Sequence, residues 1–267
     1  VIEMGEPALK ENNNVCDFIQ HKSHKEGIKL KKDGTPKKSG GNKRKGVSSL
    51  VEPLRNLEDI KKFRQYFKDK EKESFKFRDK LTWKRNYALF IVGTGTALRI
   101  SDILKLKWKD VISDGLVDIV DKIRPNEKKT HKFNVNFMTK DIKSALNNYY
   151  NALNSKKLFD INDYIFDTDT GKAMTEQNVI VILKKAAKEL NIKYNIGTHT
   201  MRKTYAYQYL IANKGDSRAL TLLQARLNHS TPRQTLDYAG IMEDELRQMD
   251  NQISNIYRSI DNYKRRD

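Results

Sequence analysis

Between Leu57 and Phe67 the apolar positions Leu57, Ile60, Phe63, Tyr66 and Phe67 recur at helical spacing behind Asn56, whose side chain can cap a first turn. A second, more uniformly apolar stretch after Thr82 reads as a buried helix that stops at Gly93-Thr-Gly95, with a further helix beginning near Ser101. Arg99 falls in the junction between them. The pattern then changes period: residues 115–121 (GLVDIVD) and 132–136 (KFNVN) alternate apolar and polar, which predicts two strands joined by a loop carrying Lys128 and Lys129. Helical spacing returns afterwards, with Thr139, Thr175 and Thr231 as caps and Pro232 in the first helical position after Thr231. The expected fold is therefore mainly α with a small antiparallel β-sheet, an α+β region over residues 51–240.

The flanks differ from this region. Residues 29–45 (KLKKDGTPKKSGGNKRK) are rich in charge, Gly and Ser and lack apolar periodicity, so residues 1–50 read as a basic flexible arm or linker. After the core, Met242, Leu246, Met249, Ile253, Ile256, Ile260 and Tyr263 recur at alternating steps of four and three. That spacing draws one apolar seam along a helix over residues 241–267, which must pack either on its own domain or on a neighbouring protomer.

Charge narrows the function. Lysine and arginine number 52 against 34 acidic residues, a formal net charge of +18 over 267 residues, which favours a polyanion as partner, nucleic acid first and an anionic membrane surface second. The longest apolar run, around Tyr87–Val92, is far shorter than a bilayer span, and the N-terminus lacks the layout of a signal peptide. A single cysteine, Cys16, can form neither an internal disulfide nor a thiolate zinc site. A cytoplasmic, nucleoid-associated protein without membrane contact is the expectation.

Five short motifs then fall in order: Arg99 in GTALRISD, Lys129 in KKTHK, His199 and Arg202 in THTMRK, His229 in LNHS, and Tyr238 nine residues beyond His229. Singly each is ambiguous, and a lone tyrosine is ordinarily a packing residue. His199 and Arg202, three apart, share a helix face and can grip one anion. Attack on a phosphodiester loads charge onto two non-bridging oxygens, which planar guanidiniums such as Arg99 and Arg202 can hold by paired hydrogen bonds. The departing sugar oxygen needs a proton, a task for a positioned lysine. A tyrosine hydroxyl ionises near pH ~10, so its attack needs a base or a dense positive field.

In this order and spacing the chain resembles the tyrosine recombinases, or phage-type integrases, over about residues 57–240. The resemblance implies a recombinase catalytic-domain fold with Tyr238 as nucleophile, Lys129 as the hairpin general acid with Lys122 and Lys128 as neighbouring alternatives, and His199 as base. It further implies that His229 hydrogen-bonds the phosphate or orients the tyrosine. Strand transfer through a 3′-phosphotyrosyl ester conserves the energy of the broken bond, so no cofactor and no metal is expected. Asp102 is expected to support the helix start or orient Arg99. The implied partners are double-stranded DNA, a homotetramer with a dimer on each site, and accessory DNA-bending proteins. Many members carry a helical core-binding domain of about a hundred residues ahead of the catalytic one. The basic stretch of about fifty residues that stands there in this chain leaves a short single-domain member and a fragment as alternatives. Type IB topoisomerase-like cleavage and a catalytically silent DNA-binding regulator on the same fold are the competing functions.

Overall fold

Cap chemistry sets most of the helix starts. In the computed structural model, which describes residues 51–113, 119–123, 135–156, 158, 160–168 and 170–263, the Asn56 side chain accepts from the Glu58 amide and opens α1 (Leu57–Glu73). Thr139, Thr175 and Thr231 do the same for α4 (Lys140–Asn154), α5 (Glu176–Glu189) and α8 (Pro232–Ala239). Each accepted hydrogen bond satisfies an amide that has no partner inside the helix.

Between these lie α2 (Phe77–Gly95), the short α3 (Ile100–Ile103), α6 (Thr200–Ala212) and α7 (Ala219–Leu227); α9 (Ile241–Tyr263) follows α8. The start of α2 corrects the sequence reading: it begins at Phe77, a turn and a half before Thr82. Lys76 stands in the cap position with no side-chain cap bond, so no cap signal marked the true start. The next helix begins at Ile100, one residue before Ser101.

The mainly helical architecture with a two-stranded antiparallel sheet agrees with the expected class, although the strands are displaced. β1 (Lys122–Ile123) pairs with β2 (Asn136–Phe137), Lys122 opposite Phe137 and Ile123 opposite Asn136. Of the two predicted strands, the first ends just before this ladder and the second overlaps it only at Asn136. Within the first, Ile119 makes an isolated antiparallel bridge to Ile112. Part of each predicted strand, and the loop with Lys128 and Lys129, lies outside the described residues, as do residues 1–50 and 264–267.

One hydrophobic core gathers α1, α2, α4 and α5. Phe63 of α1 stacks on Phe90 of α2 with ring centroids 5.2 Å apart, and Trp108 packs between Tyr149 and Tyr150 of α4. A smaller cluster, Ala97, Ala206, Leu223, Leu227 and Ala239, joins α6, α7 and α8 to the segment preceding α3. Small residues there let the helices approach closely, and Tyr238 packs against this cluster. At the start of α6, a Cβ on Gly93 of α2 would lie 2.4 Å from the Met201 sulfur, so the two helices meet with the glycine closely packed against the Met201 side chain. Among the described residues no helix is long and apolar enough to cross a membrane.

Candidate active site

Four separate chain segments bring the charged and aromatic groups together. α2 ends where the Thr96 amide and hydroxyl both donate to the Val92 carbonyl, and buried Ala97 and Leu98 anchor the turn that follows. Arg99 comes next, in the cap position of α3, its backbone extended and its carbonyl accepting from Asp102 and Ile103. The side chain is half-buried. Asp102 is itself buried, and its amide bond to Arg99 fixes the first turn.

The second segment is the start of α6. The Gly197 amide donates to the Thr200 hydroxyl at 3.0 Å, closing a turn that leaves His199 exposed at the cap position. Arg202, one turn further, is buried, with 4% of its surface accessible, and its Nη2 donates to the Leu227 carbonyl at 2.8 Å. That bond satisfies a carbonyl in the last turn of α7 and places a cation at the negative end of the helix dipole.

α7 then stops on Asn228, whose φ of 56° is left-handed. Asparagine tolerates that conformation better than most side chains, and the turn closes when the His229 amide donates to the Gln224 carbonyl at 3.1 Å. His229 is thereby aimed back toward α8. Its Nδ1 lies 3.1 Å from the hydroxyl of the fully buried Thr235, which shares a face of α8 with Tyr238 three residues on.

Tyr238 is the meeting point. Its hydroxyl lies 3.3 Å from His199 Nδ1, and its ring takes edge contacts from His199 and His229 at centroid distances of 6.1 and 5.1 Å. With Nδ1 unprotonated the phenol donates to it, the arrangement a general base requires. Burial pushes the phenol up to about 12, while the charges of Arg202 and Arg99 pull it down. Burial lowers the His229 value, and the same two arginines lower it further. Both guanidiniums therefore act on the hydroxyl and on the imidazole beside it.

Of the six residues singled out in the sequence, five (Arg99, His199, Arg202, His229 and Tyr238) converge here. The sixth, Lys129, lies outside the described residues. Several neighbours were not singled out in the sequence. Besides Thr235, Lys203 places its ammonium 5.3 Å from the centroid of the Tyr238 ring. Arg226 of α7 donates to the Val135 carbonyl and, at 2.7 Å, to Asn136 Oδ1, tying β2 to the helix that leads into the His229 turn. Only spatial approach reveals Lys203 and Arg226, which are distant in sequence from the groups they touch; Thr235 stands six residues from His229. Among the described residues no group of three His, Cys, Asp or Glu side chains is placed to hold a metal ion.

A helical scaffold that gathers two arginines and two histidines around a tyrosine hydroxyl defines a class, and comparison with known proteins gives the family. The chain belongs to the phage integrase family, whose model matches residues 59–244. It is 34% identical over 199 residues to the probable integrase/recombinase YoeC of Bacillus subtilis, covering 74% of this chain and 94% of that protein. It is 27% identical over 168 residues to tyrosine recombinase XerC of Thermodesulfovibrio yellowstonii, where the match covers 61% of this chain and about half, 52%, of the relative. Among solved structures, XerA recombinase superposes with a TM-score of 0.56 at 20% identity, over 78% of this chain and 66% of that one. XerH recombinase bound to its palindromic difH substrate superposes at 0.53 and 21% identity, over 73% and 51%. These structures share the fold.

Proposed function

We propose that this protein is a site-specific DNA recombinase that cuts and rejoins strands through Tyr238. The observation that carries the reading is the 3.3 Å approach of His199 Nδ1 to the Tyr238 hydroxyl, in a pocket where Arg99 and Arg202 both bear on that oxygen. Tyr238 Oη forms a bond to phosphorus as the bond to the sugar 5′ oxygen breaks. The phenolic proton passes to His199, and the leaving oxygen takes a proton from a lysine, for which Lys129 is the choice. Arg99 and Arg202 hold the non-bridging oxygens, and their charge matters most once a phosphate displaces water and the phenol must ionise despite its burial. His229, kept neutral near pH 7 by its surroundings, orients the ring or donates to the phosphate.

The product is a 3′-phosphotyrosyl ester with a free 5′ hydroxyl. Because the ester retains the energy of the broken bond, a hydroxyl from a second duplex can reverse the step and exchange strands through a Holliday junction. Two features support double-stranded DNA as substrate: the net charge of +18 and the palindromic difH substrate held by the similarly folded XerH recombinase. An assembly of four protomers, two on each site, fits the bare apolar face of α9. There Leu246, Met249, Ile253, Ile256 and Ile260 are each about half exposed, uncovered by the described residues of their own domain. Recombination is favoured over topoisomerase-like cleavage by this face, which a protomer acting alone has no use for.

The test is covalent capture on nicked duplexes that carry a randomised segment, with the adduct resolved on a denaturing gel and its DNA sequenced. The wild type should yield an adduct that disappears with Tyr238→Phe and falls by about 10²–10⁴-fold with His199→Ala. An adduct of equal yield from the Tyr238→Phe protein would defeat the assignment. Sequenced sites built into two duplexes should then give junctions, and a protein that only relaxes supercoils would be a topoisomerase.

A further inference from the structure

Lys203 stands four residues after His199, and its amide donates to the His199 carbonyl at 2.8 Å, so the two side chains leave the same face of α6. They meet the same ring differently. His199 reaches the hydroxyl, whereas the Lys203 ammonium lies over the ring face at 5.3 Å. Lys203 is half-buried, and among the described residues it makes no ion pair with a carboxylate. The nearest acids that influence it, Glu243 and Glu52, are both engaged by Arg55, at 3.5 and 3.0 Å. Burial and then Arg55 draw the lysine below its ordinary value, while the two glutamates oppose them. A long, strongly hydrated cation held in this place without a carboxylate is costly unless the ring it covers repays it.

We infer that Lys203 is a positioning residue for the reaction: it clamps the Tyr238 ring and stabilises the phenolate character that the ring acquires as its hydroxyl attacks phosphorus. This rests on Tyr238 being the nucleophile. Proton loss spreads negative charge into the ring, so the attraction of an ammonium over its face is stronger for the phenolate than for the phenol. That difference is what lowers a barrier; an interaction equal in both states would not. Cleavage and resealing pass through one transition state, with the Oη–P bond forming in one direction and breaking in the other. Loss of Lys203 therefore slows both by the same factor and leaves the balance between intact and cleaved DNA unchanged. The remaining groups that set the charge at the ring are Arg99, His199, Arg202 and His229, and those that set the charge at Lys203 are Arg55, Glu52 and Glu243.

The experiment needs no DNA. Tyr238 is replaced in the full chain by a difluorinated tyrosine, whose phenol ionises within the range where the protein is folded, and its ¹⁹F resonance is followed against pH. Lys203→Met should raise the midpoint by about one pH unit, and Lys203→Arg should restore it to within a few tenths. Equal midpoints in the wild-type, Met and Arg proteins would overturn the inference. If Lys203→Met does not fold, Lys203→Gln supplies the neutral variant and is read the same way. Absence of an adduct in the capture assay with an unchanged ¹⁹F result would instead sink the nucleophile reading, so the two failures are separable.

Discussion

The contact between Gly93 and Met201 offers the sharpest handle on how the scaffold serves the site. A methyl group added by Gly93→Ala would stand 2.4 Å from the Met201 sulfur, 2.7 Å from its terminal carbon and 3.1 Å from its Cβ. Ordinary carbon contacts begin near ~3.5 Å, so roughly 1 Å must be found. Met201 is buried, with 2% of its surface accessible; its flexible thioether takes up the closest part of the clash, whereas its Cβ, at 3.1 Å, is fixed to the backbone. That contact asks the start of α6 to give by a few tenths of an ångström. Overpacking of this kind costs about 1–3 kcal/mol, which for a domain of this size lowers the melting temperature by roughly 3–9 °C. The same shift displaces His199 and Arg202, and since a misplacement of ~1 Å costs about 10²-fold in rate, one of a few tenths costs about 2- to 5-fold. Calorimetry and the capture assay read the two effects on one preparation. Shortening the partner tests the cause, because Gly93→Ala combined with Met201→Ala should be less destabilised than the two single changes summed. A Gly93→Ala protein that melts and cleaves like the wild type would refute the view that this contact sets the position of α6.

Two further outcomes follow from the turn that carries His229. Asn228 holds φ at 56°, so Asn228→Val should cost about 1–2 kcal/mol in thermal unfolding and loosen His229, whereas Asn228→Gly should be nearly neutral in stability. The His229 pKa is depressed below its ordinary 6.5, so protonation favours the unfolded chain, which binds that proton more readily. No penalty applies well above pH 6.5; it grows as pH falls through that value and levels off below the folded pKa, so His229→Gln should lose less melting temperature between pH 7 and pH 5 than the wild type.

What the chain disclosed before folding was local chemistry. Asn56, Thr139, Thr175 and Thr231 announce helices because a short polar side chain satisfies amides two or three residues on, an interaction complete within one turn. Where that chemistry is absent, as at Lys76, the boundary was misplaced. The two-stranded antiparallel sheet was legible, but its bounds were not: among the described residues the ladder is two residues long on each side, too short an alternation to be told from the sequence around it. For the site, His199 and Tyr238 lie 39 positions apart, and their pairing was legible only through likeness to a family. Lys203 closes the THTMRK motif and Thr235 belongs to none, but neither was singled out, because their contacts exist only once α6 and α8 pack on the same small cluster.

The bond from Arg202 to the Leu227 carbonyl has a practical consequence for anyone who mutates this protein. One edge of that guanidinium is committed to holding the end of α7, immediately before the turn that presents His229. An inactive Arg202→Ala protein would therefore report two losses at once, a missing grip on the phosphate and a drifting imidazole, and its rate deficit could not be assigned to either.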